Sequence, residues 1–455
     1  MMKRLRTLLP LLLLLLALPA VGLGCQQRTA PKPVTLQYWR VFDSEDTMKD
    51  IIAAYHKLHP YVSIEYKKLR FEEYEQLMLE ALAEDRGPDL FSIHNTWIGK
   101  YQSKIAPLPA TTTVAEATTT GDNPVYATKT TATATVSNIR QAFIDAVGKD
   151  VIRKDTDKKE KIYGLPLGVD TLALFYNRDI LNSAGIATPP EDWTQFLAAV
   201  SRITKLSEAG QIVVAGASLG TASNVPRFSD ILSLLMMQNG ANMTDDNGYA
   251  TFQLVPSQFP NKSFVPGLEA LRFYTDFANP TKEAYTWNKE MPDGLEAFLS
   301  GRTAFFFGYS YQIPTIRSRA PQLNWDIAPV PQADAVNNRV NFANYWIETV
   351  SKKSTKQDIA WDFLQFAARA EQDRSYLAAS GKPPALRSLI DEQKGDPMRE
   401  PFASELLTSR SWYRGVDPAA AESALGDLIT AVVDGTTDLK NAVGNAVERI
   451  NQTIK

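Results

Sequence analysis

The order of apolar and polar positions sets out the first elements. Val34 to Phe42 (VTLQYWRVF) alternates and is rich in β-branched and aromatic residues, which predicts a strand. Asp43-Ser44 can cap the next element, Glu45 and Asp46 suit its first turn, and Met48, Ile51, Ile52 and Tyr55 recur at helical spacing. His59-Pro60 stops that helix, and Val62 to Leu69 reads as a second strand. Phe71 to Asp85 predicts an amphipathic helix with Tyr74, Leu77, Met78 and Leu82 inward. Gly87-Pro88-Asp89 then turns the chain into Leu90 to Ile93, a short strand. Strands alternating with helices mean parallel strands joined by crossover helices, an α/β fold.

Thr111 to Thr135 interrupts that pattern: eleven of its residues are Thr, and it reads as an exposed, partly extended insertion. Lys149 to Lys161 is dense in both charges and reads as a solvated loop or helix end. Tyr163 to Tyr176 (YGLPLGVDTLALFY) predicts a long buried extended segment. Helices are expected from Glu191 to Lys205, Phe228 to Gln238, Leu268 to Phe277 and Gly294 to Leu299. Strands are expected at Thr303 to Phe307, Trp325 to Val330 and Phe342 to Val350, and the tail is helical from Asp358 to Ala379 and from Ala419 to Ile450.

The chain's beginning has another logic. Lys3, Arg4 and Arg6 precede an apolar run, Leu8 to Leu18, with six successive leucines, and Gly22-Leu23-Gly24 leads to Cys25, the single cysteine of 455 residues. A basic region, an apolar core and small residues make a signal peptide over 1–24, and the run is short for a membrane span. Cys25 at this place resembles the lipobox of bacterial lipoproteins, although Gly22 stands where Leu is preferred. Residues 25–33, polar and containing proline, suit a tether. One Cys excludes an internal disulfide framework, and three His leave little for a metal site. A net charge of −3 argues against nucleic acid as a partner.

No nucleophile elbow, P-loop, dinucleotide fingerprint or zinc-protease helix occurs in the sequence. His94 follows the third strand, where α/β folds bind ligands, but one His is a weak catalytic signal. The positive signal is aromatic and amide-rich: Trp39, Asn95, Trp97, Asp170, Tyr309-Ser310-Tyr311, Asn344-Tyr345-Trp346 and Trp412-Tyr413. A sugar offers apolar ring faces and hydroxyl edges, and such side chains match both. Each Trp or Tyr alone is more often core than ligand wall; their repeated placement after strands raises the estimate for the group.

At this point the chain resembles a bacterial extracellular solute-binding protein of the sugar-type family 1. The segments that carry the likeness are YWRVFDSEDTMKDIIAAYHKLHPYVSIEY, Gly87-Pro88-Asp89-Leu90, YGLPLGVDTLALFYNRDILNSAGI, FLSGRTAFF, WDIAPVP and GKPPA. The resemblance implies an α/β clamp of type II, with two interleaved lobes joined by crossing strands. Lobe 1 would span 34–165 with the insertion at about 109–137, and lobe 2 would span 166–328. Residues 329–370 would return to lobe 1, and the helices of 371–455 would lie mainly on lobe 2. Crossings are expected at Tyr163 to Thr171 and Ala328 to Pro331.

The resemblance also implies ligand contacts at Trp39, Asp43, Ser44, Asn95, Trp97, Asp170, Tyr309, Ser310, Tyr345, Trp346 and Trp412. Ser310 stands where relatives often stack a Trp. It further implies capture of a sugar without catalysis, cofactor or metal, by a monomer lipid-anchored through Cys25 outside the cytoplasm and served by ABC permease subunits. Two alternatives stay open: a secreted carbohydrate hydrolase, which needs two facing carboxylates, and a non-transport sensor on the same fold.

Overall fold

A computed structural model describes residues 31–118, 124–261, 263–334 and 338–454. The signal segment and Cys25 lie outside the described residues. Among the described residues no helix is long and apolar enough to cross a membrane.

Two five-stranded sheets carry the molecule. The first orders its strands Val62–Leu69, Val34–Val41, Leu90–His94, Trp346–Ser351 and Ile105–Ala106. Val34–Val41 is parallel to both its neighbours, as the strand–helix alternation requires, and Trp346–Ser351 inserts antiparallel beside Leu90–His94. The second orders Lys205–Leu206, Ile212–Ala217, Thr303–Gly308, Ala173–Asn177 and Trp325–Pro329. Each sheet has its own apolar core, around Tyr38, Phe91 and Trp361 in the first lobe and Phe196, Trp287 and Phe307 in the second.

Local signals explain the elements. Helix Trp193–Ile203 starts where Asp192 accepts from the Gln195 N–H, and it buries Trp193, Phe196, Val200 and Ile203 at helical spacing. Helix Phe71–Ala83 buries Tyr74, Met78, Ala81 and Leu82, while Leu77, expected inward, falls at the edge of that stripe and is 37% exposed.

A short three-stranded sheet of Ser409–Arg410, Asn341–Asn344 and Asp170–Thr171 lies between the lobes. The amide of Asn341 bridges it: its oxygen accepts from Leu172 N–H and its nitrogen donates to Leu172 C=O and to Glu405. The chain returns through Asn341–Asn344 rather than Ala328 to Pro331. Ala328 pairs with Leu174 in the second sheet, because Trp325–Pro329 completes that sheet's edge before the crossing. The tail divides: Tyr376, Leu389 and Leu406 join the first core, and Trp412, Leu425 and Val447 join the second.

The Thr-rich segment is an antiparallel hairpin, Thr111–Ala117 against Tyr126–Ala132. Alternation seats it: Thr112 and Val114 are buried while Thr111 and Thr113 face solvent. Its inner edge is held by side chains, with Thr113 N–H donating to Asp358, Ala115 N–H to Tyr61, and His59 Nδ1 2.8 Å from the Ala115 carbonyl.

One buried carboxyl in the first lobe works against stability. Asp373 is 1% exposed, and neither carboxylate oxygen has a hydrogen-bond partner. Burial pushes its carboxyl up to about 8, against an ordinary value of about 3.9. Between those values the unfolded chain loses a proton that the fold retains, so stability falls as pH rises from about 4 toward 8. We expect Asp373→Asn to remove this slope and to gain more than about 1 kcal/mol at pH 8. Urea denaturation at pH 5 and pH 8 checks it; equal gains at both pH values would contradict the assignment.

Candidate functional site

The carboxyl ends of Val34–Val41 and Leu90–His94 meet the start of Trp346–Ser351 on one edge of the first lobe. Aromatic residues gather there. Phe42, the first residue after its strand, takes φ +66°, a conformation costly for a bulky side chain. The turn leaves its ring 53% exposed, stacked on Phe71 at 5.4 Å with a 21° interplanar angle. Phe71 lies on the buried stripe of its helix but one turn beyond the core, and it is 48% exposed. Trp346 is the hub: Phe42, Tyr74, Trp97 and His94 all meet it edge to face, with centroids 5.4–5.9 Å away. Such pairs favour fixed geometry beyond area burial.

His94 is held on both ring nitrogens. Nε2 lies 3.1 Å from the Asn344 side-chain oxygen and Nδ1 lies 2.8 Å from the Thr96 hydroxyl. The Thr96 N–H donates to Nδ1, which assigns the proton to Nε2. Burial, and then the Arg227 cation of the other lobe, pull its pKa down to about 4.

A second aromatic pair belongs to the second lobe, in the turn after strand Thr303–Gly308. Tyr311 is 51% exposed and stacks on buried Tyr309 at 5.7 Å and 20°. Tyr309 donates its hydroxyl to Asp230 at 2.7 Å, and Arg227 closes a fork on the same carboxylate through Nε and Nη2 at 2.8 and 2.9 Å. Ser310 Oγ donates to Asp170 at 2.6 Å, and Thr171 N–H donates to the other oxygen at 3.1 Å. Burial outweighs these bonds and lifts the Asp170 carboxyl to about 6. Asp43 is the reverse case. Burial would raise it, but Lys382 at 2.7 Å and Arg40 at 2.9 Å hold it below the ordinary carboxylate range.

The expected site residues therefore divide. Trp97 and Trp346 are half-buried on the first lobe's aromatic edge, Asp170 and Ser310 are buried and bonded to each other, Asp43 is buried between Arg40 and Lys382, and Ser44 is exposed at the turn Glu45–Thr47. Trp39 lies two residues back from the end of its strand, under the Lys67 ammonium at 4.6 Å. Tyr309 is fully buried, so it props the wall and Tyr311 presents the face. Asn95 and Tyr345 are turned inward, and both donate to Asp150. Trp412 is buried in the second core with its indole N–H on Ser233. For these last four, an internal hydrogen bond outweighed a place on the wall. Sequence reasoning missed Phe42, Phe71, Arg227, Asp230 and Lys382. Only Phe42, next to Asp43, and Lys382, in the GKPPA segment, carried any local signal. Among the described residues no group of three or more His, Cys, Asp or Glu could hold a metal ion.

Two α/β lobes joined by a short crossing sheet define a clamp of the type II periplasmic-binding class. Comparison with known proteins agrees: the model of the family "Bacterial extracellular solute-binding protein" matches residues 43–374, and the chain belongs to that family. The maltodextrin-binding protein MdxE of Bacillus subtilis (strain 168) is 23% identical over 307 residues, 65% of this chain and 67% of its own length. The galactooligosaccharide-binding protein of the same organism is 20% identical over 443 residues, 94% of this chain and 91% of its own. Among solved structures, the cyclic α-maltosyl-1,6-maltose binding protein of Arthrobacter globiformis superposes with a TM-score of 0.71 at 17% identity, covering 93% of this chain and 99% of that one. At that identity the likeness shows the fold. Family membership makes this a solute-binding protein that works outside the cytoplasm.

A neutral His94 has a consequence for acid stability. Its folded pKa of about 4 lies below the ordinary 6.5, so the unfolded chain takes up the proton first and stability falls as pH drops from about 6.5 toward 4. The His94 imidazole signals in NMR should show no charge change down to about pH 5. A midpoint near 6.5 would show that the ring is solvated.

Proposed function

We propose that the protein is the ligand-capture subunit of an ABC importer, and that its ligand is a neutral sugar or oligosaccharide held between the lobes. One observation carries the reading. Each lobe carries an exposed aromatic ledge, Phe42 with Phe71 and Tyr311 on Tyr309, and the ligand we propose would meet these together with the polar pairs Asp170–Ser310 and His94–Asn344. Apolar faces for ring C–H groups and planar polar groups for hydroxyls are what a sugar requires. The named relatives bind maltodextrin and galactooligosaccharides, which supports the class without choosing the sugar.

The charges support binding over hydrolysis. A glycosidase needs two carboxyls free to act at the scissile bond. Here Asp43 is held by Lys382 and Arg40, and Asp230 by Arg227, whereas Asp170 has a hydroxyl partner, Ser310, in place of a cation. Capture then means closure of the lobes over the ligand and recognition of the closed form by permease subunits. Lipidation of Cys25 would hold the monomer at the membrane after removal of residues 1–24.

Two experiments test this reading. In a thermal-shift screen of mono- and oligosaccharides, at least one neutral sugar should raise the melting temperature, and Tyr311→Ala and Asp170→Asn should each weaken its affinity at least tenfold. Unchanged affinity in both variants would misplace the site. In cells, the wild-type chain should fractionate with membranes and Cys25→Ser should release it; identical fractionation would remove the anchor.

A further inference from the structure

A dense polar junction centres on Asp150, near the end of helix Asp145–Val151 in the first lobe. It is 1% exposed. Four side chains converge on it: Asn95 Nδ2 at 3.3 Å, Tyr345 OH at 2.7 Å, Ser411 Oγ at 2.6 Å and Arg414 Nη2 at 2.9 Å. Tyr345 follows the crossing strand Asn341–Asn344, and Ser411 follows the crossing strand Ser409–Arg410. One carboxylate of the first lobe therefore holds the ends of two of the three crossings.

The residues between Ser411 and Arg414 grip the other lobe. Trp412 and Tyr413 are buried in the second core. Trp412 Nε1 donates to Ser233 at 3.0 Å, and the Tyr413 hydroxyl donates to Thr453 at 2.8 Å. Grips on the two lobes thus fall within four consecutive residues, which span at most about 14 Å fully extended. The backbone also packs on the first lobe with no room to spare. A Cβ on Gly99 would stand 2.4 Å from the Arg414 carbonyl and 2.5 Å from that of Gly415.

We infer that Ser411–Arg414 is the pivot of the clamp and that Asp150 is a positioning residue that sets its closing geometry without touching ligand. The inference deepens the clamp reading and rests on it. With both lobes pinned at one four-residue segment, they cannot part there while the grips hold. Opening is then a rotation about this segment that moves the remainder of the two lobes apart. Weakening the grip on Asp150 frees the second lobe to rotate further and moves the resting population toward open forms.

The test is small-angle scattering of the sugar-free protein, with thermal melting as the control for folding. Removing Asp150 strands Arg414, so two milder variants carry the test: Ser411→Ala, which deletes one hydroxyl from the carboxylate, and Gly99→Ala, which pushes the Arg414–Gly415 backbone off the first lobe without altering a charge. Each should still melt cooperatively and should raise the radius of gyration by about 1 Å from a compact value of about 22 Å. A purely structural role would lower the melting temperature of both and leave their scattering curves on that of the wild type; that result overturns the inference. The outcome is separate from the choice of ligand. If no sugar in the screen binds and both variants still expand, the pivot stands and the sugar reading falls.

Discussion

The first lobe depends on a buried group of charges that closes on itself. Glu348, 1% exposed, sits in the returning strand and accepts from Tyr38 and Ser92, while Arg40 lies 2.9 Å from its other oxygen. Arg40 reaches Asp43, and Asp43 reaches Lys382 and Tyr376 in the tail. Two cations and two anions are spread over three segments far apart in sequence, and Ser92 ties in a fourth. Desolvating them is costly, and losing one partner leaves a stranded charge, commonly worth about 3–5 kcal/mol. The network therefore permits one arrangement of the first strand, its neighbour, the returning strand and the tail. That arrangement brings Phe42, Trp346 and Lys382 to the same edge.

The cleft walls follow the same rule in a smaller form. In the second lobe the Arg227 fork fixes Asp230, Asp230 fixes the Tyr309 hydroxyl, and the Tyr309 ring supports Tyr311. In the first lobe His94 and Asn344 fix one another beside Trp346. Each exposed aromatic face rests on a buried polar partner, so the walls are ordered before ligand arrives. Preorganisation of this kind reduces the ordering cost of binding.

The fold was largely legible in the sequence because its strands and helices follow the apolar period. The helix from Trp193 and the strand from Thr303 stand where the spacing places them. The crossings were only half legible. Asp170–Thr171 lies inside the extended segment read as the first crossing, but Asn341–Asn344 and Ser409–Arg410 are short, and no period of two develops in so few residues. Asp150 shows the limit more sharply. It sits in a stretch dense in both charges that reads as solvent-facing, yet it is buried because its partners, Tyr345, Ser411 and Arg414, are roughly 200 residues or more away. Contacts that distant leave no mark on local spacing. Phe42 was missed for a different reason: a positive φ at a bulky residue is set by the turn into Asp43 and by the Phe71 and Trp346 rings it then meets, not by the residue itself.

The charge arrangement also bears on what the space can hold. Asp43 is matched by Arg40 and Lys382, and Asp230 by Arg227, before any ligand enters. A ligand with a fixed charge would have to break one of these pairs or remain uncompensated in a poorly solvated gap, and either is costly. Asp170 is the exception, and its carboxyl, lifted to about 6, is still mostly ionised at neutral pH. It already accepts from Ser310 and from a backbone N–H, which leaves acceptor capacity for a hydroxyl donor but only one unpaired negative charge. One such acceptor, the Asn344 amide on the neighbouring strand with His94 bonded to it, and the exposed aromatic ledges favour a neutral polyol with apolar ring faces over a peptide terminus or a polyamine. That selection comes from which charges are already paired, and it holds whichever sugar fits the walls.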